Sequence, residues 1–258
     1  MISYLSPAEV IAHKGLRLVS VQGVPSPWAQ AAKTIFEIKG LDFVMAQLIV
    51  AGTNEEIVAW SGQNSGPVVA WQDEAPINKW VDILYLAERL APEPALIPEE
   101  ARDRATMFGL SNELFGEFGI GWNRRLQIFD ALMDPSQPRE FQEVVTILGR
   151  KYRYNKKDTE AAPAKLVDSL GLFKTQLENQ RASGSSFLVG DRLSAVDIYF
   201  VAVMNLVAPL PKEKCPLPDG LRPFYVAADP DIVTLLSPIL LDHRDRIFEA
   251  YFRAPMEF

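Results

Sequence analysis

The sequence predicts an α/β domain followed by an all-α domain. Three observations predict it. Stretches rich in strand formers alternate with helical patterns through Leu90 and then cease. A segment with three prolines in eight residues, Ala91 to Pro98, follows at once. Beyond it, every patterned stretch is helical. The expected organisation is a first domain over 1–90, a linker over 91–98 and an all-helical domain over 99–258.

The elements follow in order. Ser6-Pro7-Ala8-Glu9 reads as a capping box that opens a short helix, which Gly15 ends. Leu16 to Val21 reads as the first strand, and Ala29 to Lys39 as a helix that stops at Gly40. Leu41 to Val50 is rich in strand formers. Thr53 and Glu56 suggest a second capping box, with a short helix through Trp60. Ser61 to Gly66 is a loop by composition, Pro67 to Trp71 a strand, and Asp73 to Pro76 a turn. From Ile77 to Leu90, Trp80, Ile83, Leu84 and Ala87 share one helical face. Past the linker, helices are expected over 98–133 with a break near Gly116 to Gly121, and over 138–152, 163–182, 194–207 and 229–252. Tyr152, Tyr154 and Lys156-Lys157 read as an exposed loop, and Arg124-Arg125 either faces a carboxylated substrate or, the commoner case, is a solvated pair.

Composition narrows the function. Of 258 residues, 48% are apolar and 23% charged, and the net charge of −7 argues against a nucleic-acid surface or attraction to anionic lipid. No apolar run approaches the ~18–20 residues that span a bilayer. The first residues lack the basic start and apolar run of a signal peptide, so a cytoplasmic protein is expected. Cys215 is the only cysteine, which excludes an internal disulfide, and no metal site is expected. His13 and His243 are the only histidines and lie far apart in the chain, a poor basis for a catalytic triad.

Two local signals stand out. In Val24-Pro25-Ser26-Pro27-Trp28, a hydroxyl sits where a strand ends and a helix begins, with Pro27 suited to the first helical turn. A helix N-terminus favours an anion such as a thiolate, so Ser26 can either hydrogen-bond a bound thiolate or cap its own helix. In Gly190-Asp191-Arg192-Leu193-Ser194-Ala195-Val196-Asp197, Ser194 and Asp197 form a reciprocal capping pair, with Leu193 and Ile198 at staple positions. That second signal reads as structural.

Taken in order, these pieces resemble the glutathione transferase superfamily, in particular divergent bacterial-type members with a serine-proline-aromatic motif. The resemblance implies an N-terminal thioredoxin-like domain followed by a C-terminal helical bundle domain. Ser26-Pro27-Trp28 matches the catalytic turn, Gly66-Pro67-Val68 the segment carrying a cis-proline, and Gly190 to Asp197 the helical capping motif. Carried over, Ser26 is the catalytic residue that donates to the thiolate of glutathione, the co-substrate. Trp28, Gln63, Gly66, Pro67, Asn78 and Lys79 would bind glutathione, and Phe108, Phe115 and Trp122 would line the site of a small hydrophobic electrophile. Where the family has Glu or Gln followed by Ser, this chain has Asn78-Lys79. Lys79 either pairs with the γ-glutamyl carboxylate as a point charge or is a solvated helix-surface lysine. The family also implies a homodimer. Two further readings stay open: a glutathione-dependent reductase or thiol transferase, which Ser26 in place of cysteine disfavours, and a non-catalytic binding protein with an altered glutathione site.

Overall fold

The computed structural model of the chain describes residues 4–256. The chain folds as α1 (Pro7–Ala12), β1 (Leu16–Val21), α2 (Pro27–Ile38), β2 (Phe43–Leu48), α3 (Glu55–Ser61), β3 (Val68–Trp71) and α4 (Trp80–Leu90). Eight helices follow: α5 (Ala101–Phe115), α6 (Ile120–Leu132), α7 (Arg139–Lys151), α8 (Lys156–Ala182), α9 (Ala195–Met204), α10 (Arg222–Tyr225), α11 (Pro230–Leu235) and α12 (Pro238–Tyr251). The chain divides into two compact units. One runs through Leu96 and takes back Pro211–Pro218 and the segment from Tyr251; the other holds Ile97–Leu210 and Asp219–Ala250.

The first unit is a small mixed sheet in the order β2-β1-β3. β1 runs parallel to β2, with Leu16 opposite Phe43, and antiparallel to β3, with Val19 opposite Val68. Leu18, Ala46, Val68 and Val69 are buried there, as are Phe36 of α2 and Leu84 of α4. Burial on both faces explains why β1 reads as a nearly continuous apolar run. The helix expected from Ile77 starts at Trp80 instead, because Ile77 pairs with Val69 through two backbone hydrogen bonds of 2.8 Å. The capping box expected at Thr53 does not form. Asn54 caps α3 from a left-handed backbone at φ 47°, and its side chain instead ties Ile49, Gly52 and Asn64 together.

The second unit is all-helical, with α5 against α9 and α6 against α8. Its core includes Met107, Leu114, Leu166, Phe173, Phe200 and Phe248. Three expectations are corrected. α8 begins at Lys156, seven residues before Pro163, because Asn155 caps it through the Asp158 N–H at 2.9 Å. Proline here removes one internal donor without ending the helix. Lys156 and Lys157 are exposed as expected but open α8 rather than a loop, and the tyrosines are half-buried: Tyr154 and Lys156 both donate to Asp130, and the Tyr152 ring packs against Phe129 at 6.3 Å. The last helical stretch splits into α11 and α12 ahead of Pro238, where a proline ends the preceding turn. Ser194 and Asp197 join as expected, with the buried Asp197 carboxylate accepting the Ser194 N–H at 3.0 Å, and it also accepts the Leu188 N–H at 2.9 Å, a contact the pattern does not announce. His243 Nε2 stands 3.1 Å from the same carboxylate.

Candidate functional site

The candidate site is assembled at the end of β1 in the first unit. Past Val21 the chain turns sharply, with the Ser26 N–H donating to the Val24 carbonyl at 2.8 Å. Pro27 opens α2 at its first position, and the Ser26 carbonyl accepts the Gln30 N–H at 2.9 Å. The Ser26 backbone (φ −55°, ψ 122°) leaves its side chain without a capping hydrogen bond. Ser26 is half-buried and immediately precedes the first turn of α2, where backbone N–H groups have no intrahelical acceptor. Of the two chemistries open to Ser26, the helix does not use capping.

The loop ahead of β3 returns to the same strand. The Gly66–Pro67 bond is cis, and Pro67 is buried. A Cβ added at Gly66 would lie 3.2 Å from the Ser20 carbonyl carbon, the Val19 oxygen and Val21 Cγ2. Glycine is therefore what lets this loop press onto β1. Asn54 Nδ2 donates to Asn64 Oδ1 at 2.7 Å, and Asn64 Nδ2 to the Gly52 carbonyl at 2.9 Å, which fixes the base of the loop.

Gln63 and Asn78, fifteen residues apart, meet directly: Asn78 Nδ2 donates to Gln63 Oε1 at 2.9 Å. Lys79 is exposed and occupies the N-cap of α4 without a side-chain cap. A cation at the positive end of a helix dipole is unfavourable by itself and becomes favourable once an anion shares the site. Trp28 is half-buried on the first turn of α2.

The second unit places the remaining expected residues differently from one another. Phe115 is 5% exposed and packs on the Tyr199 ring at 4.7 Å, in the core. Phe108 is half-buried on the same helix, as is Trp122 on α6, where it lies 6.3 Å from the Phe118 ring. Arg124-Arg125 is not a solvated pair. Arg124 donates to the Leu206 and Phe224 carbonyls at 2.7 and 3.1 Å, and burial pushes its guanidinium down to about 10. Arg125 lies 4.1 Å from the Tyr152 ring centroid. Lys165, over the Phe118 ring at 4.3 Å, has no motif around it that would single it out. Among the described residues, no group of three or more His, Cys, Asp or Glu side chains is placed to hold a metal. No helix of the described residues is long and apolar enough to cross a membrane.

Residues 136–219 match the family model described as the glutathione S-transferase C-terminal domain. The fold agrees over nearly the whole chain. The chain has the glutathione transferase superfamily fold. A glutathione S-transferase from Methylobacillus flagellatus KT, solved with GSH bound, superposes with a TM-score of 0.63 at 15% identity, covering 94% of this chain and 97% of that one. Human glutathione S-transferase T1-1 in its apo form gives 0.60 at 14% identity, covering 92% and 84%. A maleylacetoacetate isomerase from a Methylobacterium, with malonate and GSH bound, gives 0.54 at 21% identity, covering 89% and 94%. No curated protein sequence matches the chain. Within this transferase fold, the first unit is the thioredoxin-like domain and the second the helical one.

Proposed function

We propose that the chain is a glutathione transferase-like enzyme in which Ser26 activates the glutathione thiol. One observation carries this reading: Ser26, a residue type well suited to capping, sits at the start of α2 with its hydroxyl outside the helix cap. A free thiol titrates near ~8.5 and is mostly protonated at neutral pH. A donated O–H···S hydrogen bond and the α2 N-terminus both favour the thiolate, so the proton leaves to solvent without a protein base. The thiolate then attacks an apolar electrophile held nearby, and proximity supplies much of the acceleration.

The remaining glutathione contacts follow from the chemistry of the residues at hand. Gly66, ahead of Pro67, offers its backbone to the peptide portion. Asn78 donates its amide to Gln63, which leaves its carbonyl oxygen to accept from the ligand's ammonium. Lys79 meets the γ-glutamyl carboxylate at the N-terminus of α4, and Trp28 flanks the thiol. The first domain, residues 1–90, binds glutathione, and residues 99–258 supply the electrophile site through Phe108 and Trp122, with Phe115 behind them in the core. The enzyme is a cytoplasmic homodimer. The superfamily fold and a fold neighbour solved with GSH bound support the choice of co-substrate.

Calorimetric titration with glutathione tests the proposal. Wild type and Ser26→Ala are expected to bind with similar affinity, while only wild type releases a proton on binding at neutral pH and shows thiolate absorbance. No binding at millimolar glutathione overturns the proposal, and binding without proton release removes Ser26 from the mechanism.

A further inference from the structure

The bend between α5 and α6 displays an aromatic ring in a conformation that the chain must enforce. Phe118 has a left-handed backbone at φ 65°, a region that bulky residues rarely occupy. It is nonetheless 44% exposed, so burial of the ring does not account for the strain. The surroundings hold it there. Asn123, 1% exposed, donates its amide to the Phe118 carbonyl and to the Gly119 carbonyl at 3.0 Å. A Cβ at Gly119 would come within 2.6 Å of the Glu113 oxygen, so only glycine continues the bend. Strain over-determined in this way and used to expose a side chain points to function.

A cation lies over that ring. Lys165 Nζ lies 4.3 Å from the Phe118 centroid. Lys165 is half-buried and, among the described residues, forms no ion pair or side-chain hydrogen bond, which leaves three N–H donors beside an open ring. Trp122 continues the aromatic surface at 6.3 Å from Phe118, and the Arg125 guanidinium lies 5.6 Å from the Trp122 centroid. Burial pushes Arg125 below its ordinary value, as expected of a cation whose hydration has been partly replaced by ring faces. In a chain of net charge −7, this alternation of rings and cations runs against the overall sign.

We propose that Phe118, Trp122, Lys165 and Arg125 form a binding site for a small aromatic carboxylate, and that the electrophile this enzyme accepts carries both an aromatic ring and an acidic group. The rings take the apolar body and Lys165 takes the carboxylate as a charge-assisted hydrogen-bond donor. The assignment of this ligand as the acceptor rests on the glutathione reading above; the binding site itself lies wholly within the second unit.

The experiment compares naphthalene-2-carboxylate with neutral naphthalene-2-carboxamide, titrated into the full chain without glutathione. Wild type is expected to prefer the carboxylate by on the order of ten-fold, the usual effect of one charged hydrogen bond, and to lose that preference as salt is raised. Lys165→Met should abolish the preference while leaving the carboxamide affinity unchanged. Phe118→Asn retains a residue type suited to the left-handed backbone and should weaken both probes without lowering the melting temperature. Equal affinity for the two probes, no binding of either, or a preference that survives in Lys165→Met overturns the site. A chain that keeps the preference yet binds no glutathione supports the site and overturns its assignment to an electrophile.

Discussion

Lys39 offers the sharpest test of how the first unit holds the segment that follows α4. Its side chain is fully buried, and Nζ lies 2.8 Å from Glu88 Oε1. The same nitrogen donates to the Ala91 carbonyl at 2.8 Å and to the Pro94 carbonyl at 2.9 Å. Glu88 Oε1 in turn accepts the Leu96 N–H at 2.9 Å. One ammonium and one carboxylate thus tie a proline-rich stretch, which composition marks as a linker, to the end of α2. Lys39→Met keeps the apolar stem but strands a carboxylate and two carbonyls. Removing one partner of a buried pair costs ~3–5 kcal/mol. Because the Glu88 side chain keeps 18% of its exposure, water can rescue it in part, so a loss near ~3 kcal/mol is expected. Glu88→Gln retains an acceptor for Leu96 and should cost less, and the double variant should cost less than the sum of the two. Urea unfolding gives the stabilities, and limited proteolysis should show cleavage between Ala91 and Leu96 rising in Lys39→Met. A Lys39→Met protein within ~0.5 kcal/mol of wild type, the ordinary range for surface changes, with the segment still protected, would refute the reasoning.

Two further outcomes follow from the second unit. Asp197→Ala strips the acceptor from the Leu188 and Ser194 N–H groups and leaves buried His243 without its carboxylate neighbour; a loss of ~3–5 kcal/mol in thermal or urea unfolding is expected. Burial pulls the Asp130 carboxyl upward, but hydrogen bonds from Lys156 and Tyr154 outweigh it and hold the group below its ordinary value. A depressed carboxyl stabilises the fold above the unfolded-state value and loses that contribution as pH falls through the folded-state value. Wild type should therefore be more stable than Asp130→Asn at neutral pH, and the difference should close in acid unfolding below pH ~4.

How far the sequence could be read depended on whether the determining contact was local. The alternation of strands and helices, the α5–α6 break at its glycines and the Ser194–Asp197 cap all arise from neighbours within a few residues, and all could be placed from the pattern. Lys39 and Glu88 lie forty-nine positions apart, and the partners of Arg124 lie eighty-two and one hundred positions away. Such pairings leave no periodic trace. The pattern places the start of α8 too late for a different reason. A proline at a plausible first position competed with an Asn155–Asp158 cap seven residues upstream, and the cap prevailed because an internal proline costs one hydrogen bond and a bend rather than the whole helix. Among the candidate site residues, the resemblance singles out Gln63 and Asn78 separately, but their direct hydrogen bond across fifteen positions leaves no trace in the pattern; only the fold joins them.

Ser26 shows that a local signal can also exclude. Among the described residues four serines directly precede helices, Ser6, Ser26, Ser194 and Ser237, and Ser237 also leaves its hydroxyl without a partner. Ser6 and Ser194 stand at ψ 155° and 167° and close capping boxes, and each has an acid at the third helical position, Glu9 and Asp197. Ser26 stands at ψ 122°, makes no capping bond, and has Ala29 at that position. The following proline does not explain the difference, because Ser6 also precedes one, Pro7, and still caps its helix; Ser26 differs in following Pro25 and in its backbone at ψ 122°. No reciprocal acid draws the side chain back toward the helix. An uncapped helix start forgoes ~0.5–2 kcal/mol, and a serine in that position recovers none of it. The fold therefore keeps a hydroxyl and the first N–H groups of α2 together without joining them. An anion bound at that point would take hydrogen bonds from both, and the thiolate proposed for this site is such an anion.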